Sequence, residues 1–204
     1  NGGSRKTGCG VVYIYKRDNT NWIKEQTIFH PEEESGIAIN SLTAFGDSNL
    51  ELKGDYLFAG NYRLFSSSGA VLVFKKNTSN IWSYTYTIRP QDENGIIEIS
   101  NTLNFGRNSS YDSKTTSMNN NYLVVGAPKR DSDYQQEEGA VYIYKKSDND
   151  ETWLIQKRIL MSDIINNSSY PTIDYYTYFG ASVSIDNNYL VVGAYTKKTQ
   201  LSTS

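Results

Sequence analysis

The residues of this chain with the clearest covalent chemistry are asparagines that could accept a glycan. Four of them stand in the Asn-x-Ser/Thr pattern of N-linked glycosylation, namely Asn77, Asn108, Asn166 and Asn167. All four fall in segments that we predict to be turns, where a bulky glycan is tolerated. A chain rich in Asn and Ser also produces such triplets by chance, so the pattern predicts glycosylation on the condition that the protein is secreted.

Candidate catalytic residues are scarce. His30 is the only histidine, and it precedes Pro31 and Glu32 without a partner motif for a catalytic triad or a metal site. We interpret it as a surface loop residue. No Gly-rich loop opens a helix, so a phosphate cradle has no scaffold. Carboxylate pairs for glycoside hydrolysis can lie far apart in a sequence, and nothing marks such a pair here. We therefore predict no catalytic residues and a protein that is not an enzyme.

The roles of the single cysteine and of one acidic loop each have two possible interpretations. Cys9 is the only cysteine, so it is either a buried, inert thiol or a partner for a cysteine of another chain. The loop that contains Asp131, Asp133, Glu137 and Glu138 is either a weak cation site or a solvated acidic loop. We favour the inert thiol and the solvated loop.

Composition excludes several classes of partner. The chain of 204 residues has 20 basic and 22 acidic residues, a net charge of −2, and a hydrophobic share of 38%. It therefore lacks the basic stripe of a nucleic-acid interface and the polybasic segment of a membrane-surface protein. No apolar run approaches the roughly 20 residues of a spanning helix, so we expect no membrane span. The first residue is Asn1, which favours a processed product or a stretch of a longer protein.

Four short sequence phrases recur along the chain and divide it into units. Each unit opens with Phe-Gly, continues to a strand-like run that ends in Gly, and closes with a Trp that stands six residues before an Ile. The recurring residues, which we predict to be structural, are Phe45, Gly46, Phe105, Gly106, Phe179 and Gly180, then Gly60, Gly126 and Gly193, and finally Trp22, Trp82 and Trp153. Another phrase, Gly followed by an apolar run and Lys, begins at Gly10, Gly69 and Gly139. Long repeats made only of short strands indicate the blades of a propeller.

The repeat predicts an all-β fold of β-propeller blades. Each unit supplies four short antiparallel strands, and no segment of useful length has helical periodicity. We expect three such four-stranded units, open or part of a larger propeller or array. Residues 1–204 form one propeller segment, with a partial blade at about 1–44, blades at about 45–104 and 105–178, and a partial blade at about 179–204.

Aromatic residues are the other anomaly, with 17 Tyr and 3 Trp. Those at repeating strand positions are predicted to pack between neighbouring blades: Tyr13, Tyr15, Tyr142, Tyr144 and the three tryptophans. The irregular ones are Tyr111, Tyr134 and the cluster from Tyr170 to Tyr178. Because aromatic rings suit sugar faces and protein partners, we take these irregular positions as candidates for a binding surface.

A Phe-Gly dipeptide followed by a strand pair that ends in Gly126-Ala127-Pro128 resembles the FG-GAP repeat, which builds the N-terminal propeller of integrin α chains and of many extracellular proteins. The resemblance covers nearly the whole chain. It implies a β-propeller, a secreted or cell-surface glycoprotein and a role in cell adhesion. It discriminates poorly between functions, because propellers serve binding, scaffolding and catalysis alike.

Calcium is the cofactor that the resemblance would add. Several integrin hairpins carry an Asp-x-Asp-x-Asp-Gly loop for this ion, whereas the corresponding turns here are 52–55, 119–121 and 186–188. One carboxylate per turn at most falls short of the roughly six to eight oxygen ligands that Ca²⁺ takes. We therefore expect no calcium and no other cofactor.

The chain begins and ends within a unit, which directs attention to its partners. Unpaired strand edges are templates for another chain. The chain is thus an excerpt of a longer propeller, a component of an open filament of copies, or half of a closed six-bladed dimer, in that order of preference. The leading hypothesis is a non-enzymatic extracellular scaffold or adhesion module whose partners are copies of itself or further repeats. The alternative is a carbohydrate- or protein-ligand-binding domain of a larger surface receptor or secreted enzyme.

Overall fold

A computed structural model describes residues 10–31, 45–100, 103–107, 114–131, 137–149, 152–166 and 177–194. Twelve strands and two short helical segments occur within these ranges. The strands are β1 (Val12–Asp18), β2 (Asn21–Ile28), β3 (Leu50–Lys53), β4 (Tyr56–Asn61), β5 (Ala70–Lys76), β6 (Trp82–Ile88), β7 (Thr116–Met118), β8 (Tyr122–Ala127), β9 (Ala140–Lys146), β10 (Trp153–Leu160), β11 (Ser182–Asp186) and β12 (Tyr189–Gly193). The helical segments are α1 (Leu64–Ser67) and α2 (Met161–Asn166).

The strands form four antiparallel sheets in chain order, which confirms the predicted all-β class with propeller-type blades. Strands β3 to β6 form one four-stranded sheet, here the first blade, and β7 to β10 form another, the second blade. Strands β1 and β2 form the N-terminal hairpin, and β11 and β12 form the C-terminal hairpin. Two units therefore have all four expected strands, and the two terminal units have two strands each within the described residues.

The two blades repeat each other in register. In the first blade Tyr56 pairs with Lys75 and Phe58 with Val73, and in the second blade the equivalent residues Tyr122 and Lys145 pair in the same way. A β-bulge also recurs at one position, because the fourth strand of each unit holds one extra residue, Glu25, Thr85 or Gln156. A bulge bends its strand and increases the local twist. The equal Trp-to-Ile spacing of the sequence therefore reflects an equal bulge.

The core lies between successive sheets, since the central strands are buried on both faces. In β4, Leu57 and Ala59 pack toward the N-terminal hairpin, while Tyr56 and Phe58 pack toward the second blade. Alternation of side chains along a strand sends neighbouring residues to opposite faces. A third cluster, with Val124 and Val183, joins the second blade to the C-terminal hairpin. Burial on both faces explains why these strands are continuous apolar runs in the sequence.

The Phe-Gly dipeptide joins each unit to the one before it. Phe105 is fully buried between the blades, where its ring meets Tyr142 edge-on at 5.2 Å, and its backbone forms a bridge with Gly69. A side chain at Gly69 would collide with the Phe105 backbone, and the φ of +86° at Gly69 suits glycine. The same contact recurs between Gly139 and Phe179. Each unit is therefore fixed to its neighbour by backbone contact.

The interpretation of His30 as a surface residue is wrong. Its side chain is buried and meets the ring of Phe45 edge-on, with 5.7 Å between ring centroids. Because Phe45 opens the next unit and returns to pack beside β1 and β2, it covers the position just after β2. No helix in the described ranges is long and apolar enough to cross a membrane.

Candidate interaction surfaces

Two strands whose equivalents lie inside a blade each have an open edge, within the part of the chain that the structure describes. There, β1 pairs with β2 alone and β12 pairs with β11 alone. The equivalent strands inside the molecule, β5 beside β4 and β8 beside β9, each have a neighbour on both sides. An open edge presents a row of unpaired N–H and C=O groups to another strand. Both terminal hairpins can therefore accept a further strand.

The N-terminal hairpin presents an aromatic face to solvent. Trp22 is 67% exposed, although its repeat equivalents Trp82 and Trp153 are buried. Tyr13 and Tyr15 are also exposed. The prediction that repeating aromatics pack between blades is thus confirmed for Trp82, Trp153, Tyr142 and Tyr144 and wrong for Trp22, Tyr13 and Tyr15. The physical reason is that no described sheet covers this face of the hairpin.

The C-terminal hairpin is covered on one face and open on the other. Val183 is buried against the second blade, and Leu190 and Val192 pack around the same cluster. On the opposite face, Tyr189 is 78% exposed and Val191 is 68% exposed. The sequence places these two side chains at the positions of Tyr56 and Phe58, which are core residues in the first blade.

A groove runs between the second blade and the C-terminal hairpin. It encloses a cavity of about 460 Å³, with Tyr122, Ile143 and Lys157 on the side of the second blade. Ile185 and Leu190 line the side of the hairpin. The groove is mainly apolar and falls within the size range of ligand sites, roughly 300–1,000 Å³.

A partly buried charge cluster ties the two blades together. The Glu98 carboxylate, from the β6–β7 connection, accepts hydrogen bonds from Arg130 Nε at 2.9 Å, from Tyr142 Oη at 2.9 Å and from Arg158 Nη1. Burial alone would raise the pKa of Glu98, but the Arg130 guanidinium and the three donors hold that pKa below its ordinary value. Burial also raises the pKa of Tyr142, which keeps its hydroxyl available as a donor. Both carboxylate oxygens are occupied, so the cluster acts as a structural link.

No sequence pattern indicates this cluster. Its members stand at positions 98, 130 and 158, in different predicted segments, and charged residues of this kind are usually solvated. Tyr142 was singled out, but only as a packing residue. The segment that carries Glu98 is shaped locally by Asp92, whose Oδ1 accepts the backbone N–H groups of Asn94 and Ile96, each at 2.9 Å.

The acidic loop is only partly solvated. Glu138 is buried and its carboxylate accepts the backbone N–H of Ser162 at the start of α2, so the solvated-loop prediction is wrong at this residue. Glu137 pairs with Lys129 at 3.1 Å, and Asp131 accepts the N–H of Glu137. Asp133 lies outside the described residues. Among the residues described, no group of three or more His, Cys, Asp or Glu side chains could hold a metal ion.

The predicted turns have ordinary turn contacts. Asp55 pairs with Lys76 at 3.1 Å, and Asn119 Oδ1 accepts the N–H groups of Asn121 and Tyr122. The absence of calcium stays a prediction.

The remaining candidate residues are placed unevenly. Asn77 is exposed in the turn between β5 and β6, where its Oδ1 accepts the N–H of Ser79 and of Ile81. Asn166 ends α2, and its side chain is not described. Tyr178 is half-buried beside Phe179. The candidates outside the described residues are Cys9, Asn108, Asn167, Tyr111, Tyr134 and the tyrosines of 170–176.

The antiparallel blades and the Phe-Gly contacts between them are typical of propeller proteins built from repeats. Residues 174–204 match the model of the FG-GAP repeat family. This match confirms the resemblance, on the repeat that contains Phe179, Gly180 and the C-terminal hairpin. No curated protein matches the chain.

Proposed function

We propose that this chain is a non-enzymatic, extracellular propeller module that serves as a structural scaffold or adhesion module. The observation that carries the proposal is the pair of open strand edges, each beside an exposed apolar face. Contiguous exposed apolar surface of this kind is typical of interaction sites. Joining by strand completion, to copies of itself or to further repeats, is the mechanism that these edges support.

Rigidity is the second requirement of a scaffold. Successive sheets share buried clusters, backbone bridges at Gly69 and Gly139, and the Glu98 cluster. Such joints resist movement because each combines packing with backbone contact, and the joint between the two blades adds the charge cluster. The module thus presents its loops at fixed separations, which suits a protein that spaces or binds partners.

The proposal of a non-enzyme follows from the described polar residues. The Glu98 carboxylate, which is 16% exposed, has its oxygens occupied by Arg130, Arg158 and Tyr142. Glu138 is buried, and its carboxylate accepts the N–H of Ser162. His30 lies against Phe45 in a core cluster. A general acid or base needs reach to a substrate, and these groups face the interior.

An extracellular location fits the FG-GAP match and the exposed sequon at Asn77. A glycan there would extend from a turn without disturbing the sheet. Glycosylation at Asn77, Asn108, Asn166 or Asn167 is part of the proposal.

Carbohydrate or protein-ligand binding is the second candidate. A cavity of about 650 Å³ beside the β9–β10 turn favours it, with polar side chains from Ser147, Asn149 and Thr152. Its lining contains no aromatic ring, and sugar sites commonly stack the sugar on one. The scaffold function therefore takes precedence.

Electron microscopy and mass spectrometry of the native material test the proposal. We expect particles larger than a single 23.1 kDa chain, in which the modules join to one another or to other chains, and glycan mass on at least one sequon. Single unglycosylated particles without a partner would contradict the scaffold function. Hydrolysis of a carbohydrate or peptide by the purified chain would contradict the non-enzymatic assignment.

A further inference from the structure

The junction between the two blades shows how a repeat tryptophan is seated. Trp153 is only 5% exposed and meets the rings of Tyr56 and Phe58 edge-on, at centroid distances of 5.9 and 5.4 Å. We call the rings of Tyr56 and Phe58 the aromatic seat. They lie on the face of the first blade that packs against the second blade. Edge-to-face pairs of this kind stabilise a junction beyond the area they bury.

The same face of the second blade has an equivalent seat. Tyr122 and Val124 take the positions of Tyr56 and Phe58 in the repeat. The place that Trp153 fills at the first junction corresponds at the second to the cavity of about 460 Å³ beside Tyr122 and Lys157. The C-terminal hairpin supplies the first two strands of a blade there, and no third or fourth strand stands beside it in the described residues.

The N-terminal hairpin has the matching parts. Strands β1 and β2 correspond to the third and fourth strands of a blade, with the same bulge. Trp22 stands at the position of Trp153, and Tyr13 and Tyr15 stand at those of Tyr142 and Tyr144. All three aromatic side chains are exposed on the hairpin, although their equivalents are buried.

We infer that the N-terminal hairpin of a second copy of this chain completes the blade begun by the C-terminal hairpin, with its Trp22 seated in the cavity beside Tyr122. This inference rests on the proposed scaffold function and names its partner and contact. The joint is the internal junction of the molecule repeated between two copies.

The strand pairing inside each blade also fixes the strand register of the completed blade. Phe58 opposes Val73 in the first blade, and Val124 opposes Ile143 in the second. Carried to the joint, Val191 of one copy opposes Ile14 of the other. By the same repeat, Tyr189 opposes Lys16, and Gly193 opposes Val12.

The completed blade would cover the exposed side chains of both hairpins at once. Tyr189 and Val191 take the places of Tyr56 and Phe58, so they meet Trp82 of the second copy, as Tyr56 and Phe58 meet Trp153. One joint therefore buries Tyr13, Tyr15, Trp22, Tyr189 and Val191. A small ligand in the cavity would leave both strand edges and the exposed Val191 uncovered, which is why a second copy fits better.

The geometry of the joint is head to tail. A contact between two different surfaces of one chain repeats until it closes a ring or continues as a filament. Within the described residues, each copy contributes two blades and two half-blades. Two copies therefore supply six blades, within the range of about four to eight found in propellers.

Cysteine cross-linking tests the register. In a Cys9→Ser background, a Val191→Cys chain is mixed with an Ile14→Cys chain and oxidised. Inside the blades, Lys76 N donates to Asp55 O and Lys146 N donates to Asn121 O, so these are hydrogen-bonded pairs. Hydrogen-bonded and non-hydrogen-bonded pairs alternate along antiparallel strands. Three positions further on, Phe58–Val73 and Val124–Ile143 are therefore non-hydrogen-bonded pairs, and so is their equivalent, Val191–Ile14. Cα atoms there are about 4.5 Å apart, within reach of a disulfide. The matched control mixes Val191→Cys with Tyr15→Cys, whose side chain points to the opposite face.

We expect a covalent dimer from the first mixture and none from the control. Equal cross-linking in both mixtures, or none in either, would overturn the inference.

Sedimentation of the Trp22→Ala chain tests the seat. Trp22 is exposed in a single copy, so its loss should leave the thermal unfolding of the monomer unchanged. Truncation of a tryptophan at the centre of an interface should weaken self-association at least about 30-fold. Trp22→Phe should retain part of the affinity, and Ile99→Ala, which changes an exposed residue of the β6–β7 connection, should retain all of it.

The possible failures are distinguishable. A chain that stays monomeric at every concentration, or associates equally well with Trp22→Ala, overturns this inference. The proposed scaffold function would still stand if the native material joined other chains or joined through other surfaces, and it would fall only with the microscopy described above.

Discussion

Replacing Glu98 by glutamine should loosen the joint between the two blades. The carboxylate is 16% exposed and accepts from Arg130, Arg158 and Tyr142. Glutamine keeps the shape and one carbonyl acceptor but removes the charge, so the two guanidinium groups, 16% and 20% exposed, lose their counter-ion. Removing one partner of a buried pair costs roughly 3–5 kcal/mol, and the residual exposure places this case near the lower end, at about 3 kcal/mol.

Chemical denaturation measures that cost directly. The urea midpoint should fall while the slope of the transition stays unchanged, because the surface exposed on unfolding is the same. For a chain of this size, a loss of about 3 kcal/mol lowers Tm by roughly 6–12 °C.

The matched control is Glu93→Gln. Glu93 pairs with Lys157 at 3.1 Å, but these side chains are 37% and 58% exposed. An exposed pair contributes about 0–1 kcal/mol. If Glu98→Gln and Glu93→Gln shift the midpoint equally, the cluster is not a structural link and the reasoning is refuted.

The remaining predictions concern pH, packing and modification. The pKa of Glu98 is lower in the folded chain than its unfolded value of about 4.3. Its contribution to the free energy of unfolding is therefore present above about pH 4.3 and is lost as the pH falls through the lower folded pKa. Urea midpoints across acid pH should show this loss in the parent chain and not in Glu98→Gln. Gly126→Ala should destabilise the chain by about 1–3 kcal/mol, since the new Cβ would collide with the carbonyl oxygen of Gly180. Gly54→Asn should cost less, because Gly54 lies in open space at a positive φ that Asn tolerates. Equal urea midpoints for the two variants would contradict this account. Burial raises the pKa of Tyr86, Tyr142 and Tyr144, so ultraviolet titration should find that these three of the described phenols ionise only when the chain unfolds. On secretion from a eukaryotic host, Asn77→Gln should remove one glycan from the peptide that spans the β5–β6 turn, and an unmodified parent peptide would exclude this site.

The fold was predictable because its signals are local and repeated. The Phe-Gly dipeptides, the glycine before each third strand and the Trp-to-Ile spacing describe strand lengths, a bulge and a backbone contact. The strand lengths and the bulge depend on neighbouring residues in one unit, and the backbone contact recurs in the same form from one unit to the next. The structural role of Phe105 and Gly69 could therefore be predicted from their residue types and their place in the repeat.

The burial of the terminal aromatics was not predictable in the same way. Tyr13 and Tyr142 stand in nearly identical phrases, yet one is exposed and the other is buried. The difference is the neighbouring sheet, which a phrase does not encode. His30 differs in the opposite sense, because Phe45 from the following unit covers it.

The charge cluster needed the three-dimensional structure. Glu98, Arg130 and Arg158 meet only because a connection from the first blade folds over the second. Nothing in the spacing of these residues indicates that meeting. Pairing between distant charged residues depends on tertiary packing, which a single sequence does not specify.

The backbone joint at Gly69 and Phe105 has a consequence for the history of such chains. Every complete unit carries both halves of the joint, a Phe-Gly dipeptide at its start and a glycine before its third strand. A duplicated gene segment that encodes one unit would therefore fit between its parents without compensating substitutions. Growth and shrinkage by whole units thus leave the backbone joint between neighbours intact.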